Sequence, residues 1–379
     1  MSKITRVEAV LVSVPLKRDY KGSTYNVPEK NAIITRIHTD DGLVGECANG
    51  EGRLPAHEQG FAILRDELAP MLLGADPTRI EHLWAKMFKV TYRHTMNPRP
   101  AVRAVGCADS ALWDLMGQRT KLPLFRLWGG AREAVPIVAI GGQYVDGFTL
   151  ADYGREMETY RKLGLAGCKF KVGGRSPEED AQRTAAAREA GGADFVLCAD
   201  ANRAWNRHDA FDYARLVRDR GLNLRWFEEP CHWNNDLQDM ALLRATTGLP
   251  MAAGQSEITA EGCRNLIAGG AVDVCNLDAS WGGGPTVWLR VAKLAACYGV
   301  QMAHHGEPVV GAHLLAAVEN GTYVETHHPD RDPLFHGGIT NRGEIANGLY
   351  HLSENPGFGV GYDPDFIKAH EHARFDVKA

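Results

Sequence analysis

From residue 135 onward, short apolar runs recur at 135–140, 167–172, 195–199, 224–227, 249–253, 272–277, 299–303 and 321–324. Most are followed by a polar residue or two and then a helical stretch of ten or more. That alternation marks β/α units on a parallel sheet, because parallel strands need long crossovers between them. Eight such runs point to a closed (β/α)₈-type barrel rather than an open doubly wound sheet, and no G-x-G-x-x-G opens a helix after the first run. The chain is longer than the barrel needs. Residues 4–15 and 32–39 read as antiparallel strands, with an Asp41-Gly42 turn and a third strand through Val44. Helical patterns follow at about 57–73, 78–92 and 101–118. The expected division is an α+β capping domain over residues 1–130 and a barrel over 131–344. The tail, about 345–379, is rich in Gly, Pro and aromatics and is expected to pack back on the first domain.

The net charge of −5 and the lack of Lys/Arg runs argue against nucleic acid or an anionic membrane as partner. No apolar run is long enough to span a bilayer, and Met1-Ser2-Lys3-Ile4 opens no signal-peptide core. The eight cysteines are scattered without a C-x-x-C pair, several within apolar patterns, as reduced buried thiols are. A soluble cytoplasmic homo-oligomer acting on a small molecule is expected.

The second barrel run carries Lys169 and Lys171, which alternation places on one side of the strand. Inside a barrel mouth, like charge and partial desolvation would lower one lysine pKa toward that of a useful base. On an edge strand the two would simply be solvated. Later strand ends carry Asp200, Glu228, the segment Gly254-Gln255-Ser256-Glu257, Asp278, His304-His305 and Glu325. Acids that end successive strands lie a few ångströms apart and need compensation, which a hard cation such as Mg²⁺ supplies. Each acid taken singly could instead cap its following helix. Asp278 and His305 end neighbouring strands, so a carboxylate–imidazole bond is available that raises the imidazole pKa. His304 is the rival if the strand end is off by one.

These residues resemble the enolase superfamily, mandelate racemase subgroup, over nearly the whole chain. The matching motifs are Lys169-Phe170-Lys171, Asp200-Ala201-Asn202, Phe227-Glu228-Glu229-Pro230, and Asp278 with Gly282-Gly283-Gly284. To these add His305 before His313-Leu314-Leu315-Ala316-Ala317, and Glu325. The resemblance implies a modified TIM barrel, (β/α)₇β, under an α+β cap completed by the tail. It implies Lys171 as base on one face, Lys169 beside the substrate carboxylate, and His305 held by Asp278 on the other face. Asp200 and Glu228 would bind Mg²⁺, and Glu325 would hydrogen-bond the enolate oxygen. One departure stands out: where the family has an acid after the fifth-strand glycine, this chain has Gln255, with Glu257 two residues on. Glu257 is the favoured third ligand for its charge, Gln255 the alternative.

The shared reaction is removal of the proton α to a carboxylate to give an enediolate. With a β-hydroxyl on the substrate, His305 protonates it as it leaves and a dehydratase results. Without one, a racemase, epimerase or cycloisomerase results. The cap loops (Tyr20, Lys21, Ser23, Thr24, Tyr25, Asn26, then Asn49, Glu51, Arg53) are polar, which suits an acid sugar. Tyr25, Arg53 and Asn202 are the expected substrate contacts. A non-catalytic barrel is opposed by intact Lys171, Asp278 and His305.

Overall fold

In the computed structural model, which describes residues 2–50 and 52–379, eight parallel strands form a closed barrel. A separate antiparallel sheet, three of whose four strands precede the barrel in the chain, caps its mouth. That sheet contains β1 (Ile4–Lys21), β2 (Asn26–Thr39) and β3 (Val44–Asn49). The barrel strands are β4 (Ala134–Gly141), β5 (Gly167–Lys171), β6 (Val196–Asp200), β7 (Phe227–Glu228), β8 (Met251–Ala253), β9 (Val274–Cys275), β10 (Gln301–His304) and β11 (Gly321–Thr326). Closure is made by β11 pairing with β4, Val324 opposite Ile137 through Thr326 opposite Ala139. Among the described residues no helix is long and apolar enough to cross a membrane.

Alternation sorts the barrel side chains into two layers. Phe170, Ala199, Phe227, Cys275, Met302 and Val324 point outward into the main core shared with the surrounding helices. Their neighbours Cys198, Trp226, Ala252, Val274 and Ala303 form a small separate cluster in the barrel interior. Two residues on from that plug, along the same inward face, lie Asp200, Glu228, Asn276 and His305. The apolar floor leaves the polar groups only the mouth to occupy.

The cap closes that mouth. Residues 20–30, expected as a loop, are mostly strand: Tyr20 pairs with Val27 and Lys21 with Asn26, so β1 and β2 form one long hairpin. Their polarity reflects a wet surface, not a lack of pairing. The hairpin tip lies on the barrel, with the Ser23 hydroxyl donating to the Ala201 carbonyl at 2.8 Å and the Lys21 carbonyl accepting from the Tyr144 amide. Helix Pro98–Thr120 packs under the cap sheet, N-capped by the Asn97 side chain. The tail divides: Leu349–His351 adds antiparallel to β4, and Glu371–Lys378 adds to β1.

Candidate active site

Register brings the first charged groups together. Lys171 is paired with Asp200 and Asp200 with Glu228 across three adjacent strands. Lys171 Nζ lies 2.6 Å from Asp200 Oδ2. Lys169 Nζ is the hub of the buried cluster, 2.7 Å from Glu325 Oε1, 2.8 Å from Glu228 Oε1 and 3.5 Å from Asp200 Oδ2. All five side chains are at most 2% exposed.

The expected fall in a lysine pKa does not occur. Burial favours neutral amines, but Glu228, Glu325 and Asp200 outweigh it around Lys169, and Asp200 outweighs it at Lys171, so both are raised. The lysines' mutual repulsion is the smaller effect, since distant strands bring three acids to them. Among the acids, burial pushes Glu228 up to about 7. Burial also opposes the charge on Asp200, yet the two lysines bring it down to about 2. Glu325 is likewise lowered, Lys169 overcoming burial. Three buried carboxyl groups thus face two ammonium groups, and Glu228 is the one whose charge is least compensated.

The backbone sets the two fifth-strand candidates apart. Gly254 has φ +136°, and a Cβ there would meet the Asn276 amide nitrogen at 3.0 Å, so only glycine fits. The chain then turns, with the Glu257 amide donating to the Gly254 carbonyl at 3.0 Å. Residues 255 and 257 therefore do not share a face, as they would on an extended strand. Gln255 enters the cluster, its Oε1 accepting from Lys169 Nζ at 3.3 Å. Glu257 instead pairs with Arg203 at 3.2 Å and is a quarter exposed. Among the described residues no three His, Cys, Asp or Glu side chains gather as a metal site. The side-chain oxygens that do converge on Lys169 Nζ are those of Asp200, Glu228, Glu325 and the Gln255 amide.

On the opposite wall, His305 Nδ1 lies 2.9 Å from Asp278 Oδ2. Asp278 Oδ1 is held by the Ser280 amide at 2.8 Å. Burial disfavours imidazolium, but the Asp278 bond overrides it and raises the His305 pKa. The His305 ring lies 4.9 Å from that of Trp281, tilted 45° to it, and the Arg103 guanidinium sits 4.7 Å over the Trp281 ring. His304 faces outward: its Nε2 accepts from the Ala279 amide and burial lowers its pKa. It belongs to the core.

Two participants escaped the sequence reading. Asn276 donates from Nδ2 to Glu228 Oε1 at 3.0 Å and Glu325 Oε1 at 3.2 Å, tying the acid cluster together. Its position two residues after Val274, on the inward face of β9 as that strand ends, is the signal that could have found it. Glu229, buried beside Gln255, has no such periodic signal, because its backbone is left-handed at φ +41°.

A cavity of about 260 Å³ opens above these groups, lined by Lys171, Asn202, Gln255, His305 and Trp281 and roofed by Tyr25 and Arg53. The Tyr25 ring lies 5.6 Å from Lys171 Nζ. Arg53 donates to the Asn26 carbonyl at 3.0 Å, and Asn202 donates from its backbone to Asp200 Oδ1 at 2.9 Å. All three expected contacts thus border the cavity. Glu51 lies outside the described residues.

Comparison with known proteins agrees with this fold. Residues 5–129 match the mandelate racemase / muconate lactonizing enzyme N-terminal domain, and residues 152–366 match the enolase C-terminal domain-like family. Arabinonate dehydratase of Saccharolobus solfataricus is 31% identical over 337 residues, covering 86% of this chain and 87% of that protein. The 3,6-anhydro-alpha-L-galactonate cycloisomerase of Streptomyces coelicolor is 31% identical over 365 residues, 95% of this chain and 97% of that one. A mandelate racemase/muconate lactonizing enzyme from a marine actinobacterium, crystallised in complex with magnesium, superposes with a TM-score of 0.91 at 43% identity. That match covers 98% of this chain and 100% of the other.

Proposed function

Since the chain belongs to the mandelate racemase / muconate lactonizing enzyme family of the enolase superfamily, we propose that it is a Mg²⁺-dependent acid-sugar dehydratase. It would convert an aldonate or aldarate to a 2-keto-3-deoxy acid. The observation that carries this reading is the meeting of Lys171 and the Asp278-held His305 on one cavity beside an oxygen-donor cluster.

The donor set fits Mg²⁺. Asp200, Glu228 and the Gln255 carbonyl are hard oxygen ligands, and all three lie within 3.5 Å of one cationic nitrogen, Lys169 Nζ. A cation there would compensate the charge of Glu228, which burial otherwise disfavours. When bound, Mg²⁺ supplies Lewis-acid polarisation of the substrate carboxylate. The chain's own groups do the rest. Lys169 receives a carboxylate oxygen, where negative charge grows as the α-proton leaves. Glu325, 2.7 Å from it, hydrogen-bonds the enolate oxygen only as its neutral acid, which requires Lys169 to turn from it to the substrate. Lys171 takes that proton in its neutral form, so Asp200 must be engaged elsewhere when the reaction runs. The C–H electron pair forms the new double bond of the enediolate. His305, fixed at Nδ1 by Asp278, gives a proton from Nε2 to the departing β-hydroxyl, which leaves as water. The enol then tautomerises to the keto acid. On a substrate of the other α-configuration the two bases exchange tasks.

A second reading, racemisation or cycloisomerisation, has the same two-walled arrangement in its favour and the cycloisomerase relative beside it. A screen of acid sugars with Mg²⁺, scored for 2-keto acid, separates the two. Keto acid formation is expected. Inversion or ring isomerisation without any keto acid would replace the dehydratase reading.

A further inference from the structure

The third oxygen donor is an amide, and an amide has a right end and a wrong end. A carboxylate ligand presents an oxygen whichever way it is turned. A glutamine presents either an oxygen or an N–H₂ group that repels cations. Gln255 is 3% exposed, so each end of its amide needs a hydrogen-bond partner. Its Oε1 faces Lys169 Nζ at 3.3 Å, and its Nε2 donates to Glu229 Oε2 at 3.0 Å. Turning the amide over would set N–H₂ against an ammonium and a carbonyl against a carboxylate. Both contacts would be repulsive, so the neighbours decide the orientation.

Glu229 is built into place for this. It is 2% exposed and adopts a left-handed backbone at φ +41°, which swings its side chain off the strand toward the fifth-strand turn. Behind it stands Arg203, whose Nε lies 3.4 Å from Glu229 Oε1. The same guanidinium reaches Asp236 and Glu257, each at 3.2 Å. Arg203 is also left-handed, at φ +62°, and its amide donates to the Glu229 carbonyl at 2.7 Å. The acid that the sequence offered as a ligand therefore stands behind the ligand position, separated from it by Arg203 and Glu229.

We propose that Glu229 is a positioning residue that fixes Gln255 with its carbonyl oxygen toward the cation site. The cation would then be held by two carboxylates and one carbonyl, with the third negative charge one layer out. This rests on the Mg²⁺ reading above. Hydrogen-bonded outer partners of metal ligands are worth about 10–100-fold in affinity, so Glu229 has a measurable task.

Mn²⁺, which suits the same oxygen donors, serves as the probe, with bound and free ion separated by electron paramagnetic resonance. Glu229→Met, similar in volume but uncharged and only a weak hydrogen-bond acceptor, is expected to weaken Mn²⁺ binding by about 10–100-fold. The double variant Gln255→Glu/Glu229→Met is expected to regain wild-type affinity or better, because a carboxylate needs no orienting. That rescue also shows that the Glu229→Met chain folds. Glu229→Met within about threefold of wild type overturns the proposal, and so does a double variant as weak as the single one, which would make Glu229 merely structural. Loss of binding in Glu257→Gln with none in Gln255→Ala overturns it as well, by making Glu257 the ligand. Each of those results leaves the Mg²⁺ reading intact, since the wild type binds. Absence of Mn²⁺ from the wild-type protein overturns both.

Discussion

His305 carries a pH dependence whose sign follows from its partner. Burial alone would lower its pKa, but Asp278 at 2.9 Å raises it above 6.5. The folded protein then holds a proton that the unfolded chain gives up above pH 6.5. The pair's contribution to stability is complete below pH 6.5 and is lost as pH rises through the folded value. Asp278→Asn removes the partner, so the His305 ring, followed by NMR, should titrate at lower pH than in the wild type. An unshifted titration would mean that Asp278 does not set the imidazole pKa. At this scale alternation made much of the site legible: Lys169 with Lys171, and the strand-end acids Asp200 and Glu228. The direction of the lysine shifts was not legible, because it depends on Glu325 and Glu228, strands away in sequence. His304 and His305 could not be told apart until the register was seen. Met302 and His304 face the helices, while Ala303 and His305 face the interior.

Between elements, the cap is held to the barrel by a clasp that the sequence did not disclose. Glu307, left-handed at φ +43°, accepts from the Gly50 amide and the Ser280 hydroxyl, joining the end of β3 to the loops after β9 and β10. Asn49 donates to the same Ser280 hydroxyl at 2.6 Å. Burial, and next the charge of Asp278, push the Glu307 carboxyl up to about 8 from 4.5. A raised acid binds its proton in the folded state only, so stability falls as pH rises from about 4.5 to about 8. Urea unfolding across that window should show the decline, and Glu307→Gln should flatten it; an equal slope in both proteins would contradict the clasp. The hairpin tip and the loop after β3 border the cavity that the barrel groups floor. Grafting residues 20–26 and 49–53 from a relative with another substrate should change which acid is used, with α-proton exchange kept. Unchanged preference in a folded graft would assign specificity to the barrel. The fifth strand shows why element boundaries limit a sequence reading. Two residues apart means one face only while the chain stays extended, and Gly254 ends that condition.

At the scale of the whole molecule, the barrel is the most legible part, because eight apolar runs separated by helices admit few closures. The cap was less so, since its long hairpin is polar where it overhangs the mouth. A ligand that binds only the folded chain stabilises it, by about 2.7 kcal/mol at a hundred times its Kd. Mg²⁺ should therefore raise the unfolding temperature of chelator-treated protein, and turnover should cease on chelation; full turnover with no divalent ion detectable by elemental analysis would exclude a metal mechanism. The central claim, that Lys171 and His305 divide proton abstraction and hydroxyl protonation between them, is tested most directly by deuterium exchange. Lys171→Ala and His305→Asn are incubated in D₂O with Mg²⁺ and the acid sugar found by screening, and the α-carbon is followed by ¹H NMR. Each variant should lose dehydration by about 10²–10⁴-fold or more, since the two groups act as a unit. One variant should still exchange its α-proton without forming keto acid, while the other, lacking the abstracting base, should not exchange. If both variants dehydrate at near wild-type rates, the two-base account is wrong.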